Sequence, residues 1–244
     1  MEQIFGVILA IVFGAIFGSY ATLFAYRLPR GESCFGRYFG KKSRCPNCDT
    51  IIKTRDLIPL INWLITLGRC RKCKIKIPRI HLFVELATVL VFLLCYLKFS
   101  FNEEFILHAL MGSCLVILLA SDFTHRIFPQ PILILIAAII VALRASSEGT
   151  ILNMINSGAI GIICAAIFYH IFYKIGKFFS SDSQCFDYIK FILVASLALT
   201  IGQLLFYFFA VMLLFSAILL LRLAQRNMPF GYILIIPFIQ IIIS

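Results

Sequence analysis

The sequence predicts an all-α polytopic membrane protein of about eight transmembrane helices, with a zinc-ribbon-like cytoplasmic loop between the first two helices. Three observations support this prediction. The 244 residues are 61% hydrophobic and 14% charged, with a mean hydropathy of +1.00, which soluble globular domains do not reach. Apolar stretches of helix length recur along the chain. Most of the positive charge, and two Cys-x-x-Cys pairs, fall in a single segment.

That basic segment decides the predicted topology. Residues 27–79 contain fourteen Lys and Arg but only three Asp and Glu, so they hold the entire net charge of +11. A segment of this kind could bind nucleic acid. Between two membrane helices, however, the positive-inside rule explains the charge better and places the loop in the cytoplasm. We therefore expect a multi-pass protein surrounded by lipid bilayer, with no nucleic-acid partner.

The first helix is expected within residues 3–26, which contain no charged side chain. A cleavable signal peptide is disfavoured, because no basic segment precedes this long apolar run. Further helices are predicted at about 82–97, 105–121, 127–143 and 151–173, as two short helices within 191–221 that turn at Gly202-Gln203, and at 229–243. This organisation gives a first transmembrane helix (1–26), a basic cytoplasmic subdomain that contains four paired cysteines (27–80) and a helical membrane domain (81–244), with both termini outside.

The cysteines of the loop form two pairs, Cys45-x-x-Cys48 and Cys70-x-x-Cys73, separated by a spacing typical of zinc ribbons. Each pair can present two thiolates, and four thiolates complete the tetrahedral coordination of structural zinc. A small basic loop would hardly fold without such a metal. The alternative is that the four thiols stay free. Trp63, with Ile61 and Leu64, either forms the small core of this loop or dips into the membrane interface.

Two aspartates are candidates for catalysis. Asp122 lies at the end of the third helix, and Asp187 ends a polar loop before another apolar stretch. In the eight-helix topology both lie on the cytoplasmic side. A boundary aspartate is more often a solvated helix cap. Two carboxylates from separate helices can instead share a proton and activate water, and charged groups at a membrane boundary are costly unless they have a function.

Short motifs follow one another in a defined order along nearly the whole chain. They are Gly-Ser-Tyr-Ala-Thr-Leu-Phe-Ala-Tyr-Arg-Leu-Pro at 18–29, Cys-Pro-Asn-Cys at 45–48, Ile-Asn-Trp-Leu at 61–64, Gly-Arg-Cys-Arg-Lys-Cys at 68–73, Arg-Ile-His-Leu-Phe-Val-Glu-Leu at 79–86 and Met-Pro-Phe-Gly at 228–231. In this order they resemble the motifs of type IV prepilin peptidases, which are membrane aspartic proteases.

The resemblance implies a peptidase of the bacterial inner membrane whose active site faces the cytoplasm. Its substrates would be type IV prepilins or type II secretion pseudopilins, from which it removes a short basic leader. Asp122 and Asp187 would be the catalytic carboxylates. Related enzymes with this amino-terminal loop also N-methylate the new terminus with S-adenosylmethionine. Glu85 and the cysteine loop are the only pointers to that activity here, and Glu85 could equally interact with its own helix dipole.

The chain departs from the family around the second aspartate. The family has Gly-x-Gly-Asp with a lysine two positions later, whereas residues 184–190 read Gln-Cys-Phe-Asp-Tyr-Ile-Lys. If the family motif is aligned on Lys190, its aspartate falls on Tyr188 instead of Asp187. A shift of one residue turns a side chain by about 100° around a helix, so the carboxylate would point in a different direction. Gln130 also replaces the usual aspartate after Phe128-Pro129. An inactive membrane scaffold of the same family is therefore the main alternative, and a small-solute transporter is a weaker one.

Overall fold

The computed structural model describes residues 2–34, 43–53, 56, 59–145, 155–156, 158–163, 166–167, 170, 182–199, 201–220 and 231–243. Within these ranges the protein is almost entirely helical. The helices are α1 (Glu2–Arg27), followed by a 3₁₀ turn (Leu28–Arg30), α2 (Ile61–Thr66), α3 (Arg79–Phe99), α4 (Glu103–His125), α5 (Gln130–Ala145), α6 (Asp182–Ala198), α7 (Ile201–Leu220) and α8 (Gly231–Ile243). The predicted helix at 151–173 is only partly described, and the loop at 174–181 lies outside the described residues.

Three described segments are long and apolar enough to cross a membrane: Gln3–Arg30, Arg79–Phe99 and Glu103–His125. Shorter apolar helices occur at residues 130–143 and 202–211. The prediction of a mostly helical protein with helices able to cross a membrane, and with a cysteine cluster between its first two long helices, is therefore confirmed. The count of eight spans, and the division of the chain at residues 26 and 80, stay predictions.

The chain forms two compact units, residues 1–120 and 121–244. In the first unit, α1 and α3 pack antiparallel along their length because small residues let the backbones approach. A Cβ atom added to Gly14 would lie 2.7 Å from the Cα of Val89, and one added to Gly18 would lie 3.0 Å from the Cα of Glu85. Thr88 is completely buried in this contact and donates its hydroxyl hydrogen bond to the Val84 carbonyl at 2.8 Å.

The second unit is held together by aromatic side chains from several helices. Phe191 of α6 contacts Phe128 edge-on at 5.7 Å between ring centroids, and it contacts Phe238 of α8 at 5.6 Å. Phe238 in turn lies 6.3 Å from Tyr207 of α7. All four rings are almost completely buried. They fix the start of α5 and the bodies of α6, α7 and α8 around a common core.

Several helix boundaries differ from the predicted ones. Helix α4 continues to His125, three residues beyond Asp122, so Asp122 lies within the last turn of the helix. Helix α6 begins at Asp182, so residues 182–187, predicted as loop, are helical. A carboxylate is favourable at a helix N-terminus, and hydropathy alone does not detect such a polar first turn. Helix α6 ends at Ala198 and α7 begins at Ile201, so Gly202 lies within α7, where an added Cβ would meet nothing within 4 Å.

The close contact of α1 with α3 yields a stability prediction. Gly14→Leu should destabilise the protein by about 1–3 kcal/mol, because the new side chain would collide with the α3 backbone. Thermal unfolding in detergent measures the change. Gly202→Ala is the matched control, since an added Cβ meets nothing within 4 Å there. Equal melting temperatures for Gly14→Leu and the wild type would contradict the packing described.

Candidate active site and metal centre

Asp122 is a completely buried carboxylate in the last turn of α4. The helix ends just after it, where Arg126 adopts a left-handed conformation with φ of 58°. The Arg126 N–H donates to the carbonyl oxygens of both Ser121 and Asp122 at 3.0 Å, which satisfies two of the carbonyls that a helix end leaves unpaired. This turn aims the chain toward Phe128 and holds the aspartate away from water, so the interpretation of Asp122 as a solvated cap is wrong.

Both carboxylate oxygens of Asp122 accept hydrogen bonds from distant parts of the chain. The Tyr188 hydroxyl of α6 donates to Oδ1 at 2.9 Å, and the backbone N–H of Gly231 donates to Oδ2 at 2.7 Å. Gly231 is the first residue of α8, so the positive end of that helix points at the carboxylate. A Cβ atom on Gly231 would lie 2.6 Å from Oδ2, which means that only glycine fits there.

Asp187 lies one residue before Tyr188 and has different partners. Its Oδ1 accepts a hydrogen bond from the Lys190 ammonium group at 3.0 Å, one turn along α6. Its Oδ2 accepts one from the Phe128 backbone N–H at 3.2 Å. The Asp187 side chain is 13% exposed, whereas the Lys190 side chain is 39% exposed. The ion pair therefore leaves this carboxylate in contact with the solvent edge of the site.

The two aspartates belong to one network around Phe128. The Phe128 N–H binds Asp187, while the Phe128 ring packs edge-on against Tyr188 at 5.4 Å between centroids. Tyr188 then binds Asp122. The structure therefore brings both predicted aspartates to the same region of the second unit. Of the two neighbouring residues on α6, Tyr188 is the one that donates a hydrogen bond to Asp122.

Two of these residues were not predicted as site residues. Tyr188 stands where alignment on Lys190 puts the family's aspartate, and that alignment was the only available signal for it. Gly231 closes the motif Met-Pro-Phe-Gly, but nothing in the sequence indicates that its N–H binds a carboxylate 109 residues away along the chain.

The four loop cysteines lie together in the first unit. Their sulfur atoms all lie within 4.8 Å of one another, with Cys45 Sγ 3.7 Å from Cys73 Sγ and Cys48 Sγ 4.0 Å from Cys70 Sγ. A tetrahedral zinc ion with Zn–S bonds of about 2.3 Å requires sulfur atoms about 3.8 Å apart. A disulfide would need about 2.05 Å. The arrangement therefore fits a metal ion held by four sulfur ligands.

Both halves of this cluster use the same backbone turn. The Asp49 N–H donates to the Cys45 carbonyl at 2.9 Å, and the Lys74 N–H donates to the Cys70 carbonyl at 3.0 Å. Asp49 and Lys74 both have positive φ values, 51° and 60°. Each turn is closed by an isolated antiparallel bridge between the residues that flank it. The result is two equivalent knuckles, residues 44–51 and 69–76, whose cysteine sulfur atoms face each other as in a zinc ribbon.

Hydrogen bonds favour the ionised form of at least two of these thiols. The side chain and backbone of Thr50 lower the pKa of Cys48 to about 6, and Cys48 Sγ lies 3.3 Å from Thr50 Oγ1. Backbone N–H groups of Cys73 and Lys72 lower the pKa of Cys70. Since thiolates are the metal-binding form, these contacts prepare the ligands for zinc.

Glu85 makes a structural contact within the same unit. Its Oε2 accepts a hydrogen bond from the Leu60 backbone N–H at 2.7 Å, just before α2. Leu60 has a φ of 60°, a conformation that costs free energy in a residue with a side chain. The contact ties the segment between the two cysteine pairs to α3 and offsets that cost.

The sequence is similar to known proteins over much of its length. Residues 12–99 match the family described as Bacterial Peptidase A24 N-terminal domain. This match covers most of α1, the cysteine subdomain and α3, and it ends before Asp122. No solved structure matches the chain.

Three curated relatives show the extent of the similarity. The "Prepilin leader peptidase/N-methyltransferase" of Bacillus subtilis is 28% identical over 228 residues, which is 90% of this chain and 87% of the relative. The "Type 4 prepilin-like proteins leader peptide-processing enzyme" of Escherichia coli O78:H11 is 28% identical over 172 residues, 64% of each chain. The Myxococcus xanthus "Prepilin leader peptidase/N-methyltransferase" is 33% identical over 118 residues, 48% of this chain and 34% of its own. The chain thus spans less than two thirds of the last two relatives.

The cysteine geometry predicts one zinc ion per chain. Elemental analysis of the purified protein should find one equivalent, and Cys45→Ser/Cys70→Ser should remove it, because two ligands cannot hold the metal tightly. Cys34→Ser, outside the cluster, should retain the zinc. An unchanged metal content in the double variant would show that the cluster is not the metal site.

Proposed function

We propose that the chain is a member of the type IV prepilin peptidase family, to whose named members it is similar, and that it is an aspartic endopeptidase of the bacterial inner membrane. Its substrates would be prepilins or pseudopilins with a short basic leader, in keeping with the names of its relatives. The observation that carries this proposal is the buried Asp122, which two other helices hold by hydrogen bonds, with Asp187 in the same network.

The proposed reaction uses the two carboxylates as an acid–base pair. An ionised aspartate takes a proton from a water molecule, and the resulting hydroxide attacks the carbonyl carbon of the scissile peptide bond. A protonated aspartate donates a hydrogen bond to the carbonyl oxygen. A proton then passes to the leaving nitrogen, which departs as an amine. This sequence balances without a covalent enzyme intermediate.

Neighbouring groups would orient the carboxylates for these steps. Gly231 and Tyr188 fix both oxygens of Asp122, so the carboxylate cannot rotate freely. Phe128 N–H and Lys190 do the same for Asp187. Water reaches the site most easily at Asp187, since Asp122 is completely buried and the Asp187 side chain is partly exposed. Substrate binding would have to displace at least one of the present hydrogen bonds.

The orientation of the site follows from the charge of the loop. We propose that the basic subdomain and the aspartates face the cytoplasm, where the positively charged leader of a prepilin would lie. The apolar helix after the leader would lie in the membrane beside the helices of the second unit. Zinc, held by the four cysteines, would stabilise the loop and take no part in cleavage.

A methyltransferase activity has weaker support. It rests on the resemblance and on the printed names of relatives such as the Bacillus subtilis protein. Glu85, the residue that first suggested it, is engaged with the Leu60 N–H, which makes it a structural contact. We derive no methylation step from its geometry.

The second candidate function is an inactive scaffold that keeps the family's architecture. One observation favours it: Tyr188, and not a carboxylate, contacts Asp122, and Asp187 is paired with Lys190. Incubation of the purified protein with a prepilin from its own cell separates the two candidates. Release of the leader supports the peptidase, and an intact prepilin supports the scaffold.

Substitution of the aspartates tests the proposed acid–base pair. Asp122→Asn and Asp187→Asn should each lower kcat about a hundredfold or more, because one carboxylate cannot act as both acid and base. Asp182→Asn, at the first residue of the same helix as Asp187, is the control and should cleave normally. The product is quantified by gel shift of a purified prepilin in detergent. Normal cleavage by Asp187→Asn would remove it from the pair.

Tyr188→Phe tests the role of the hydroxyl group that binds Asp122. We expect about a tenfold lower kcat with little change in KM, since a hydrogen bond to a charged group contributes about 1.5–3 kcal/mol. Tyr207→Phe is a matched control, because that hydroxyl is equally buried and has no hydrogen-bond partner among the described residues. Faster cleavage by Tyr188→Phe would instead mean that the contact restrains Asp122.

A further inference from the structure

A cluster of large apolar side chains is exposed on the cysteine subdomain. Leu64, Ile65 and Leu67, at and after the end of α2, are 62%, 64% and 79% exposed. We call these three residues the α2 patch. They follow directly on Trp63, whose indole ring packs on Gly68 and is half-buried. Gly68 has a φ of 64°, which helps the chain turn closely around the ring. A loop in water would not be expected to expose three adjacent large apolar residues.

The depth of α2 follows from its attachment to α3. Glu85 binds Leu60, the residue immediately before α2, at 2.7 Å. Glu85 lies six residues beyond Arg79, where the membrane-crossing helix α3 begins, which is about 9 Å along the helix axis. Since α3, with 21 residues, is about as long as the hydrocarbon core is thick, Leu60 reaches below the membrane surface.

The position of the contact along helix α1 independently indicates the same membrane depth for Leu60. Gly18 packs on the Glu85 backbone, and a Cβ atom added to Gly18 would lie 3.0 Å from the Cα of Glu85. Gly18 lies nine residues before Arg27, the last residue of α1, and therefore about 13 Å from that end of the helix. Both long helices thus place the Leu60 contact inside the span. Phe83 and Leu86 of α3, at the same level, are 61% and 47% exposed, as expected of a lipid-facing surface.

The charges next to the α2 patch also suit a membrane surface. The knuckle that follows it carries exposed basic residues and no acidic ones, namely Arg69, Arg71, Lys72, Lys74 and Lys76. Long basic side chains of this kind extend toward lipid headgroups while the apolar residues beside them enter the interface.

From these contacts we propose that the α2 patch inserts into the bilayer interface beside α3, so that the zinc-ribbon subdomain rests on the membrane. Glu85 then holds the subdomain at this depth through the Leu60 N–H. The occupant of the patch is lipid, and the knuckle carrying Cys70 and Cys73 lies against the anionic headgroups. This proposal does not depend on peptidase activity.

Trp63 is the only tryptophan in the chain and reports directly on this contact. The full-length protein is reconstituted in phosphatidylcholine–phosphatidylglycerol vesicles with or without lipids brominated near the glycerol end of the acyl chains. We expect brominated lipids to lower Trp63 fluorescence by about half, because a tryptophan at the interface lies against the acyl chains. Aqueous iodide should quench it less in vesicles than after urea unfolding.

Two variants test whether the α2 patch itself is responsible for the contact with lipid. Leu64→Asn/Leu67→Asn should weaken quenching by brominated lipid and strengthen quenching by iodide. Ile51→Asn, a 44% exposed residue on the other knuckle, should change neither. Zinc content checks that each variant is folded. Iodide quenching without lipid quenching would place the patch in water and overturn the proposal. Protection from both quenchers would mean that protein, such as a second copy of this chain, covers the patch, and it would overturn the proposal as well.

Discussion

The second unit is built around the need to satisfy one buried carboxylate. Asp122 is fully buried in the last turn of an apolar helix, where an unpaired carboxylate would be strongly destabilising. Its donors come from two other helices, the Tyr188 hydroxyl of α6 and the Gly231 N–H at the start of α8. These hydrogen bonds therefore fix the end of α4, the second turn of α6 and the start of α8 with respect to one another. The aromatic contacts of Phe128, Phe191 and Phe238 then pack the helices that the hydrogen bonds have aligned.

The same constraint explains why the site combines rigidity with access to water. Asp122 is held on both oxygens, and a side chain at position 231 would collide with it. Asp187 lies one residue earlier on α6 than Tyr188 and faces a different direction, toward Lys190 and the solvent edge. The pair is thus asymmetric, with one buried aspartate and one more accessible aspartate. The proposed acid–base mechanism would use two carboxylates in different environments, and these two aspartates differ in burial and in hydrogen-bond partners.

The first unit has to hold a basic loop in place, and it also does so with polar contacts between distant parts of the chain. A basic loop with few large apolar residues cannot form a core of its own, so it is held by its cysteine cluster and by attachment to a membrane helix. The two knuckles place four sulfur atoms at distances suited to zinc. Glu85 links the loop to α3 and is itself satisfied by that link. The cysteine cluster and the Glu85 contact thus hold the subdomain at separate points, and the α2 patch lies between Leu60 and the second knuckle along the chain.

The sequence by itself predicted the helical membrane class, the cluster of four cysteines and the resemblance to prepilin peptidases, because hydropathy, charge asymmetry, Cys-x-x-Cys spacing and short ordered motifs can be recognised without tertiary contacts. It also identified Asp122 and Asp187 as candidates. Only the tertiary structure decided what each aspartate contacts. A shift of one residue turns a side chain by about 100° on a helix, so the choice between Asp187 and Tyr188 as the neighbour of Asp122 depends on how α6 packs. The role of Gly231 could not be predicted from the sequence either, since its N–H contacts Asp122 only when helices distant in sequence come together.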